Sequence, residues 1–245
     1  MTKQALSSAL KSDSESRFNK QRNQRHETVS KKQESTAIAE APKSELAASN
    51  ASGITIASSD IDVPRINVVQ KTSDIEAPLG AVVLDKQHTL AEADQTVPVT
   101  VLSVMKGWRE NIDYDSDEIP QVAYSQEDAN RIEQNSEYEM LEFAEITLLF
   151  QQPEGNNDEA AYPFAIGDEN YAIGRINVAK DAYRQTFKRL ATFAAFNPKA
   201  SLQHRIWDFK SSLISRGKYS WFAPSLAISQ AEPTEDVKAF VETFA

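Results

Sequence analysis

The sequence predicts an α+β domain that is mostly β. Residues 97–106 form a run rich in β-branched side chains, residues 141–150 form an apolar run, and residues 202–228 alternate aromatic and polar side chains over two segments. Such runs are typical of strands, because branched and aromatic side chains pack well on a pleated surface. Residues 177–196 instead place apolar side chains three and four positions apart, which indicates an amphipathic helix. The chain therefore predicts a sheet in which one helix precedes the last two strands.

The first sixty residues are expected to lie outside this domain. Residues 1–60 are rich in Ser, Ala, Lys, Glu and Gln and contain one aromatic side chain, Phe18. Because this composition offers little apolar surface to bury, it cannot offset the entropy cost of ordering. The sequence therefore predicts a disordered polar tail. The single folded domain is predicted to span residues 61–228, which is long enough to bury a core without disulfides. Residues 229–245 follow it.

The first half of the domain carries short strand signals. Residues 63–69 are predicted to be extended, residues 81–84 form a short apolar strand, and residues 97–106 form a longer one. Residues 109–140 are acidic and are predicted to form a long insertion. A short helix is expected inside the insertion, with Ser125 as its N-cap, because Ser favours that position.

The second half predicts a hairpin, a helix and two further strands. The hairpin lies within residues 162–176, and Asn177 is predicted to cap the helix, which ends at Asn197. Residues 202–214 and 218–228 form the last two strands. This element order is that of an OB-like fold, a five-stranded barrel with one helix between strands 3 and 4. The same order also fits other α+β folds.

The net charge of −10 hides a strong segregation of charge along the chain. Residues 1–32 carry a balance of +5, residues 109–160 a balance of −13, and residues 162–225 a balance of +6. Charges beyond about 8 Å are screened in physiological salt, so the local balance decides which partner a surface attracts. The chain therefore retains a basic region despite its acidic total.

Several classes of site are excluded or disfavoured by the residues present. The chain has no cysteine, and its three histidines are isolated, so the sequence predicts no metal site and no cofactor. Residues 113–118 resemble the start of a calcium loop but lack its glycine at the sixth position and its glutamate at the twelfth. Neither a nucleophile motif nor a phosphate-binding glycine loop is present. We therefore expect a protein that is not an enzyme; a hydrolase using a divalent ion has only composition in its favour.

The distribution of apolar residues along the chain also indicates the cellular compartment of the protein. The N-terminal residues lack the apolar core of a signal peptide, and no apolar run approaches the roughly 20 residues needed to cross a bilayer. The sequence therefore predicts a cytoplasmic protein with no membrane partner.

Aromatic residues interleaved with cations are the strongest functional signal. They occur in the predicted helix and in the last two strands, where alternate side chains share a face. Flat side chains that stack on bases and cations that follow the phosphates are typical of single-stranded nucleic-acid binding. The alternative is that the aromatic residues belong to the core and the charges to a solvated surface. The predicted nucleic-acid contacts are Lys180, Arg184, Lys188, Arg189, Arg205, Trp207, Phe209, Lys210, Arg216, Lys218, Tyr219 and Trp221.

The C-terminal residues 229–245 are acidic and end in aromatic side chains. Two interpretations remain open for them. They form either an acidic tail that contacts replication or recombination proteins, or a short amphipathic helix that packs on the domain.

Two parts of the chain resemble early proteins of tailed phages that are described as single-stranded-DNA-binding-like. The likeness lies in residues 63–73 (VPRINVVQKTS) and in the stretch from residues 178–183 (VAKDAY) to residues 218–224 (KYSWFAP). It implies an OB-like domain, a phage origin and a role in DNA replication or recombination. The acidic residues 109–160 have no counterpart in that pattern, which argues against a simple open groove. The residues that match individually are Tyr183, Lys218, Trp221 and Pro224.

The sequence thus predicts a single-stranded DNA-binding protein that acts without catalysis. The alternative is an acidic protein-interaction module, in which residues 109–160 mimic the charge of nucleic acid or bind a host factor. The two hypotheses differ in which surface is exposed, because a platform for stacking bases must be accessible.

Overall fold

A computed structural model describes residues 62–113 and 116–243, and all of these residues belong to one compact unit. The predicted disordered tail, residues 1–60, lies outside the described residues. The described part of the chain contains ten strands and four helices. The strands are β1 (Ile66–Val68), β2 (Val82–Leu84), β3 (His88–Ala91), β4 (Thr96–Glu110), β5 (Val122–Ala123), β6 (Met140–Gln151), β7 (Phe164–Ile166), β8 (Glu169–Ala179), β9 (Ile206–Arg216) and β10 (Tyr219–Ile228). The helices are α1 (Gln126–Glu133), α2 (Lys180–Gln185), α3 (Phe187–Phe196) and α4 (Glu235–Glu242).

Seven of these strands form one antiparallel sheet. Its order is β10-β9-β4-β6-β8-β7, and the short strand β5 pairs with β4 at Trp108 and Arg109. The two longest strands, β4 and β6, stay paired as far as Glu110 and Met140. The mostly β class predicted from the alternating runs is therefore confirmed.

One face of this sheet forms the main core. Val97, Val99 and Val101 of β4 are buried there beside Trp207 and Phe209 of β9, as expected for alternate residues of neighbouring strands. Buried side chains of the β1–β3 sheet and of α2 and α3 cover this face. A β-bulge after Val101 interrupts the alternation.

Leu102 points to the opposite face from Val101, as successive residues of a strand do, and it belongs to a second buried cluster that includes Val237 and Val241 of α4. Residues 229–245 thus contain an amphipathic helix that packs on the domain, one of the two interpretations of this segment. Thr234 caps the helix, because its hydroxyl accepts a hydrogen bond from the Val237 amide at 3.3 Å. None of the helices in the described ranges combines the length and the apolar character needed to cross a membrane.

Strands β1, β2 and β3 form a small antiparallel sheet of their own. It packs closely on β8, because a Cβ atom at Gly174 would lie 2.6 Å from both Ile66 Cγ1 and Leu84 Cδ1. Glycine therefore allows the two sheets to approach. The extended segment at residues 63–69 and the strand at residues 81–84 were predicted, whereas β3 was hidden by the turn signal before it.

The large sheet is open, so the predicted closed barrel of five strands is wrong in this respect. Within the described residues β10 and β8 are bridged by the leading segment of the domain instead of pairing with each other. The Arg175 amide of β8 donates to the Pro64 carbonyl at 2.8 Å. At the other end of the segment, the Gln70 side chain donates to the Phe222 carbonyl at 2.8 Å and accepts from the Phe222 amide at 2.9 Å. The bridging segment occupies the strand edges that closure would pair.

The predicted single helix is two helices. Asn177 does not cap a helix, because it pairs with Glu145 in the ladder between β8 and β6. The break lies at Thr186, whose hydroxyl donates to the Ala182 carbonyl at 2.6 Å and whose backbone leaves the helical region. Such a local side-chain bond competes with the regular helical pattern. The second helix ends before Asn197, as predicted.

The acidic insertion is partly a continuation of the sheet. The ladder between β4 and β6 extends into it, and β5 and α1 lie between the two strands in the sequence. Helix α1 begins as predicted, because the Ser125 hydroxyl accepts a hydrogen bond from the Asp128 amide at 3.1 Å. Ile119 of the insertion is 90% exposed.

Candidate nucleic-acid interface

The β9–β10 hairpin has one face that keeps access to solvent. The strand register pairs Tyr219 with Arg216 and Trp221 with Ile214, so these four side chains share a face. Lys210 lies on the same face, because alternate residues of a strand point the same way. These five residues are called the hairpin face below. Tyr219 is 65% exposed, and Trp221 is half-buried.

At Trp207 and Phe209 the opposite face of β9 belongs to the core, whereas Leu213 nearer the turn is exposed. Trp207 is 2% exposed and Phe209 is fully buried. The Trp207 indole donates from Nε1 to the Leu202 carbonyl at 3.2 Å and meets the Phe193 ring edge-on at 5.3 Å. Phe209 meets the Phe150 ring at the same separation. The predicted stacking of bases on Trp207 and Phe209 is therefore wrong, because both rings are packed on other side chains.

The tip of the hairpin presents two cations and one aromatic ring. The turn consists of Gly217 and Lys218, and Gly217 has φ +60°, as the first central residue of a type II′ turn requires. Arg216 and Lys218 are exposed on either side of the glycine. The Lys218 Nζ atom lies 5.2 Å from the centroid of the Tyr219 ring, within the range of a cation–π interaction.

Helix α2 brings further cations to this tip, because it packs against β6, β8 and β10. The Arg216 guanidinium donates from Nη2 to Asp181 Oδ1 at 2.6 Å, and Arg184 Nη1 lies 3.8 Å from the same oxygen. Lys180, the first residue of α2, is exposed beside Asp181 in the sequence. Lys180, Asp181, Arg184 and Arg216 are called the α2 cluster below. One carboxylate thus holds together cations from two elements.

The first turn of α3 contributes one cation to this region and uses another internally. The Lys188 Nζ atom lies 5.9 Å from the centroid of the Tyr183 ring in α2. The Arg189 guanidinium donates from Nη1 to the Leu226 carbonyl of β10 at 2.9 Å. Arg189 therefore supports the packing of α3 on β10, whereas Lys188 lies over the Tyr183 ring of α2.

Two predicted contacts engage acidic side chains elsewhere. Arg205 precedes β9 and pairs with Glu232 at 3.1 Å, near the C-terminal helix. Lys210, on the hairpin face, pairs with Asp94 at 3.4 Å. Because Arg205 lies at the end of β9 opposite to the turn, it does not belong to the same local group as Arg216.

Sequence reasoning missed an aromatic residue and a cation on β4. The Lys106 Nζ atom lies 4.5 Å from the centroid of the Trp108 ring and donates to Glu142 Oε1 at 2.6 Å. The predicted strand stopped at Lys106, where the acidic residues begin. The alternation of Lys106 and Trp108 is the same cation–aromatic signal that identified the last two strands.

Lys106 keeps its positive charge in this setting. Burial lowers its pKa, but the hydrogen bond from Lys106 to Glu142 and the nearby Tyr183 outweigh that effect, so the pKa lies above its ordinary value. Burial, together with the Glu142 charge, raises the pKa of Tyr183, although Lys106 acts in the opposite direction. Lysine and tyrosine are thus both protonated at neutral pH.

Acidic side chains do not gather into a metal site in the described residues. No group of three or more His, Cys, Asp or Glu there is placed to hold a metal ion. The calcium-like residues 113–118 include two positions outside the described ranges. What the described interface offers chemically is aromatic rings and cations at the surface.

Comparisons with known proteins add no assignment. No family model matches the chain, and neither a curated protein nor a solved structure is significantly similar to it. The resemblance to tailed-phage early proteins therefore stays a prediction.

Proposed function

We propose that this protein binds single-stranded DNA without catalysing a reaction. The observation that carries the proposal is the convergence of the hairpin face with the α2 cluster at Arg216. Tyr219 and Trp221 provide rings that can stack on bases, for about 1–3 kcal/mol per base. The surrounding cations provide contacts for the phosphates, and each is exposed or held at the surface.

The order of the long strands supports this proposal. β9 lies beside β4, and β6 and β8 follow on the other side, which is the spatial order 4-1-2-3 of a Greek key. Two helices occupy the connection before β9. We infer an OB-like arrangement that is open between β8 and β10. In such folds the connection between strands 4 and 5 contributes to binding, and the hairpin turn at Gly217 is that connection here.

The acidic total charge does not oppose binding at this place. Lys180, Arg184, Lys188, Arg216 and Lys218 all lie at the hairpin tip or on the adjoining helices. Only carboxylates within about one Debye length weaken the attraction of these cations for phosphate. The nearest identified carboxylate, Asp181, is largely buried between two of them.

The resemblance to phage proteins extends the proposal to a process and a place. A phage protein of this kind would act in DNA replication or recombination in the cytoplasm of the host cell. The acidic residues of α4, Glu235, Asp236 and Glu242, face solvent and would contact replication or recombination proteins. These assignments depend on the resemblance and not on the hairpin face.

The decisive experiment is a titration with a labelled oligo-dT, followed by fluorescence anisotropy at low and moderate salt. We expect binding to the single strand, weaker binding to a duplex of the same length, and affinity that falls with salt. Trp221→Ala should weaken binding by about 1–3 kcal/mol, because a stacking ring is lost. Trp221→Phe should retain most of the affinity, because it keeps an aromatic face.

The buried tryptophan provides an internal check on this result. Trp108, Trp207 and Trp221 are the three tryptophans of the chain. The intrinsic tryptophan fluorescence of the protein can be followed in the same titration. In Trp221→Phe, any quenching of this fluorescence by oligo-dT must come from Trp108 or Trp207, and Trp207 is shielded in the core. The proposal fails if the parent protein does not bind oligo-dT at low salt.

The acidic insertion favours a second candidate function. Ile119, Val122 and Tyr124 are exposed there among acidic residues, and exposed apolar side chains of this kind often mark protein contacts. In this alternative the insertion is an interaction module for a basic protein surface. It predicts that the protein does not bind oligo-dT, so the same titration distinguishes the two functions.

A further inference from the structure

A groove runs between helix α3 and the end of β10 that lies away from the hairpin turn. Its volume is about 420 Å³. Phe193 and the buried Trp207 line it, and so do Phe196, which is 82% exposed, and Ile228, which is 49% exposed. Pockets of this size that are lined mainly by apolar and aromatic side chains are typical of ligand sites. The two exposed side chains therefore present an apolar surface to a ligand.

The groove belongs to a part of the chain that is almost free of carboxylates. Residues 182–231, which supply both of its walls, contain eight Lys or Arg and one Asp or Glu. That residue, Asp208, adjoins the buried Trp207 on β9, so its side chain points to the other face of the sheet. Glu232, the next carboxylate along the chain, pairs with Arg205 at 3.1 Å. The ligand that suits the groove therefore combines an apolar part with negative charge.

Helix α3 leads from the α2 cluster to this groove. It begins one residue after α2, carries Lys188 and Arg189 in its first turn and ends at Phe196. Its ten residues rise by about 15 Å. The bond from Arg189 to the Leu226 carbonyl holds the helix along β10. A strand bound at the hairpin tip can therefore follow these cations to the groove.

The polar side chains that line the groove are engaged with its own walls. Arg189 uses its bond to β10, and the Thr192 hydroxyl donates to the Lys188 carbonyl at 2.6 Å. The Asn197 side chain donates to the Phe193 carbonyl at 2.9 Å. The groove thus offers rings and aliphatic carbon more than hydrogen bonds to the edge of a particular base. Because every base has a flat face, such a site accepts bases without sequence preference.

We propose that the groove between α3 and β10 holds one base of the bound single strand, with the ring of Phe196 stacked on it. The inference rests on the proposed function and extends its binding surface from the hairpin tip along α3. The phosphate that precedes this base lies beside Lys188, which is already among the cations of the interface. The groove therefore adds a stacking contact and no new phosphate contact.

The first test repeats the oligo-dT titration with variants of the full chain. We expect Phe196→Ala to weaken binding about tenfold at every salt concentration, because it removes a stacking ring and no phosphate contact. Phe196→Tyr should retain most of the affinity, because it keeps the ring. Ile119→Ala removes a similarly exposed apolar side chain of the acidic insertion, so it is the control and should leave the affinity unchanged. Urea unfolding checks that each variant keeps its fold.

Photo-cross-linking tests the position of the base. An oligo-dT that carries iododeoxyuridine in place of thymidine forms covalent bonds with neighbouring aromatic side chains when it is irradiated. Mass spectrometry of the digested protein then identifies these side chains. We expect cross-links at Phe196 in addition to those at Tyr219 or Trp221.

The outcomes separate this inference from the proposed function. If Trp221→Ala weakens binding and Phe196→Ala does not, or if cross-links form at Tyr219 or Trp221 without one at Phe196, the inference is wrong and the proposed function stands. If the parent protein does not bind oligo-dT at low salt, both are wrong. Dimers in sedimentation that Phe196→Ala dissociates, with unchanged affinity for oligo-dT, would also overturn the inference, since a second copy would then occupy the groove.

Discussion

Lys180 combines a charge at the interface with an unfavourable backbone conformation. Its φ is +53°, in the left-handed region that costs an L-residue about 1 kcal/mol or more. Lys180→Gly removes this cost together with the charge. We expect the variant to be more stable in urea unfolding by up to about 1 kcal/mol and to bind oligo-dT more weakly.

Lys180→Gln is the matched control, because it removes the charge and keeps the side chain in the left-handed region. It should lose the same affinity as Lys180→Gly without the gain in stability. A gain in stability of equal size in both variants would mean that charge, and not backbone conformation, is what destabilises this position.

Tyr162 carries a buried hydroxyl that has no hydrogen-bond partner in the described part of the chain. Burial, with a smaller contribution from the charge of Asp158, raises the pKa of Tyr162 from 10.0 to about 12. The unfolded chain releases the Tyr162 proton at a lower pH than the folded protein does. The contribution of this difference to the free energy of unfolding is therefore complete below pH 10 and is lost as the pH rises toward 12. We expect Tyr162→Phe to be more stable at neutral pH by about 1 kcal/mol.

The pH profile of unfolding checks the same substitution. Tyr162→Phe should lose less stability than the parent protein between pH 10 and pH 12. Some loss should remain, because burial also raises the pKa values of Tyr138, Tyr171 and Tyr183. A variant less stable than the parent at neutral pH would show that the hydroxyl makes a stabilising bond.

Among the elements, the β9–β10 hairpin depends on the conformation of one glycine. Gly217 has φ +60°, and a Cβ atom added there would meet no other atom within 4 Å. Gly217→Ala therefore strains the turn without a steric clash and without changing any charge. We expect it to cost about 1 kcal/mol of stability and to weaken oligo-dT binding, since Arg216 and Lys218 flank the turn.

Gly155 offers a control with the same backbone problem. It lies in the connection between β6 and β7, has φ +80° and also has no atom within 4 Å of an added Cβ. Gly155→Ala should cost a similar amount of stability in urea unfolding and leave the affinity for oligo-dT unchanged. Equal losses of affinity in both variants would mean that general destabilisation, and not the hairpin tip, is responsible.

The strands also show which features the sequence predicts and which depend on distant residues. Period-two alternation located the last two strands and assigned Trp207 and Trp221 to their own strand faces, because side-chain direction is a local property. Which face is buried depends on distant partners: Phe193 and Leu202 contact Trp207. The same limitation hid Trp108. The sequence predicted that the strand ends at Lys106, whereas pairing with β6 extends β4 to Glu110.

At the scale of the whole molecule, the charge is divided between surfaces. The chain carries −10 in total, yet the hairpin tip and the adjoining helices present Lys180, Arg184, Lys188, Arg216 and Lys218. Binding to a single strand releases counterions, so the logarithm of the affinity falls by about 0.7 per phosphate contact for each unit of the logarithm of salt concentration. Five contacts therefore predict a slope of about −3.5.

Single substitutions test whether the cations of this surface contact phosphates, because each substitution changes the salt dependence of the affinity. Arg184→Gln and Lys218→Gln should each make the slope less steep by about 0.7, because each removes one phosphate contact. Lys199→Gln, an exposed cation in the loop after α3, is the control and should leave the slope unchanged. If all three variants lower the affinity equally, the attraction depends on total charge and not on this surface. If the slope of the parent protein is close to zero, phosphate contacts do not drive binding. The second candidate function, an acidic interaction module, is then the better explanation.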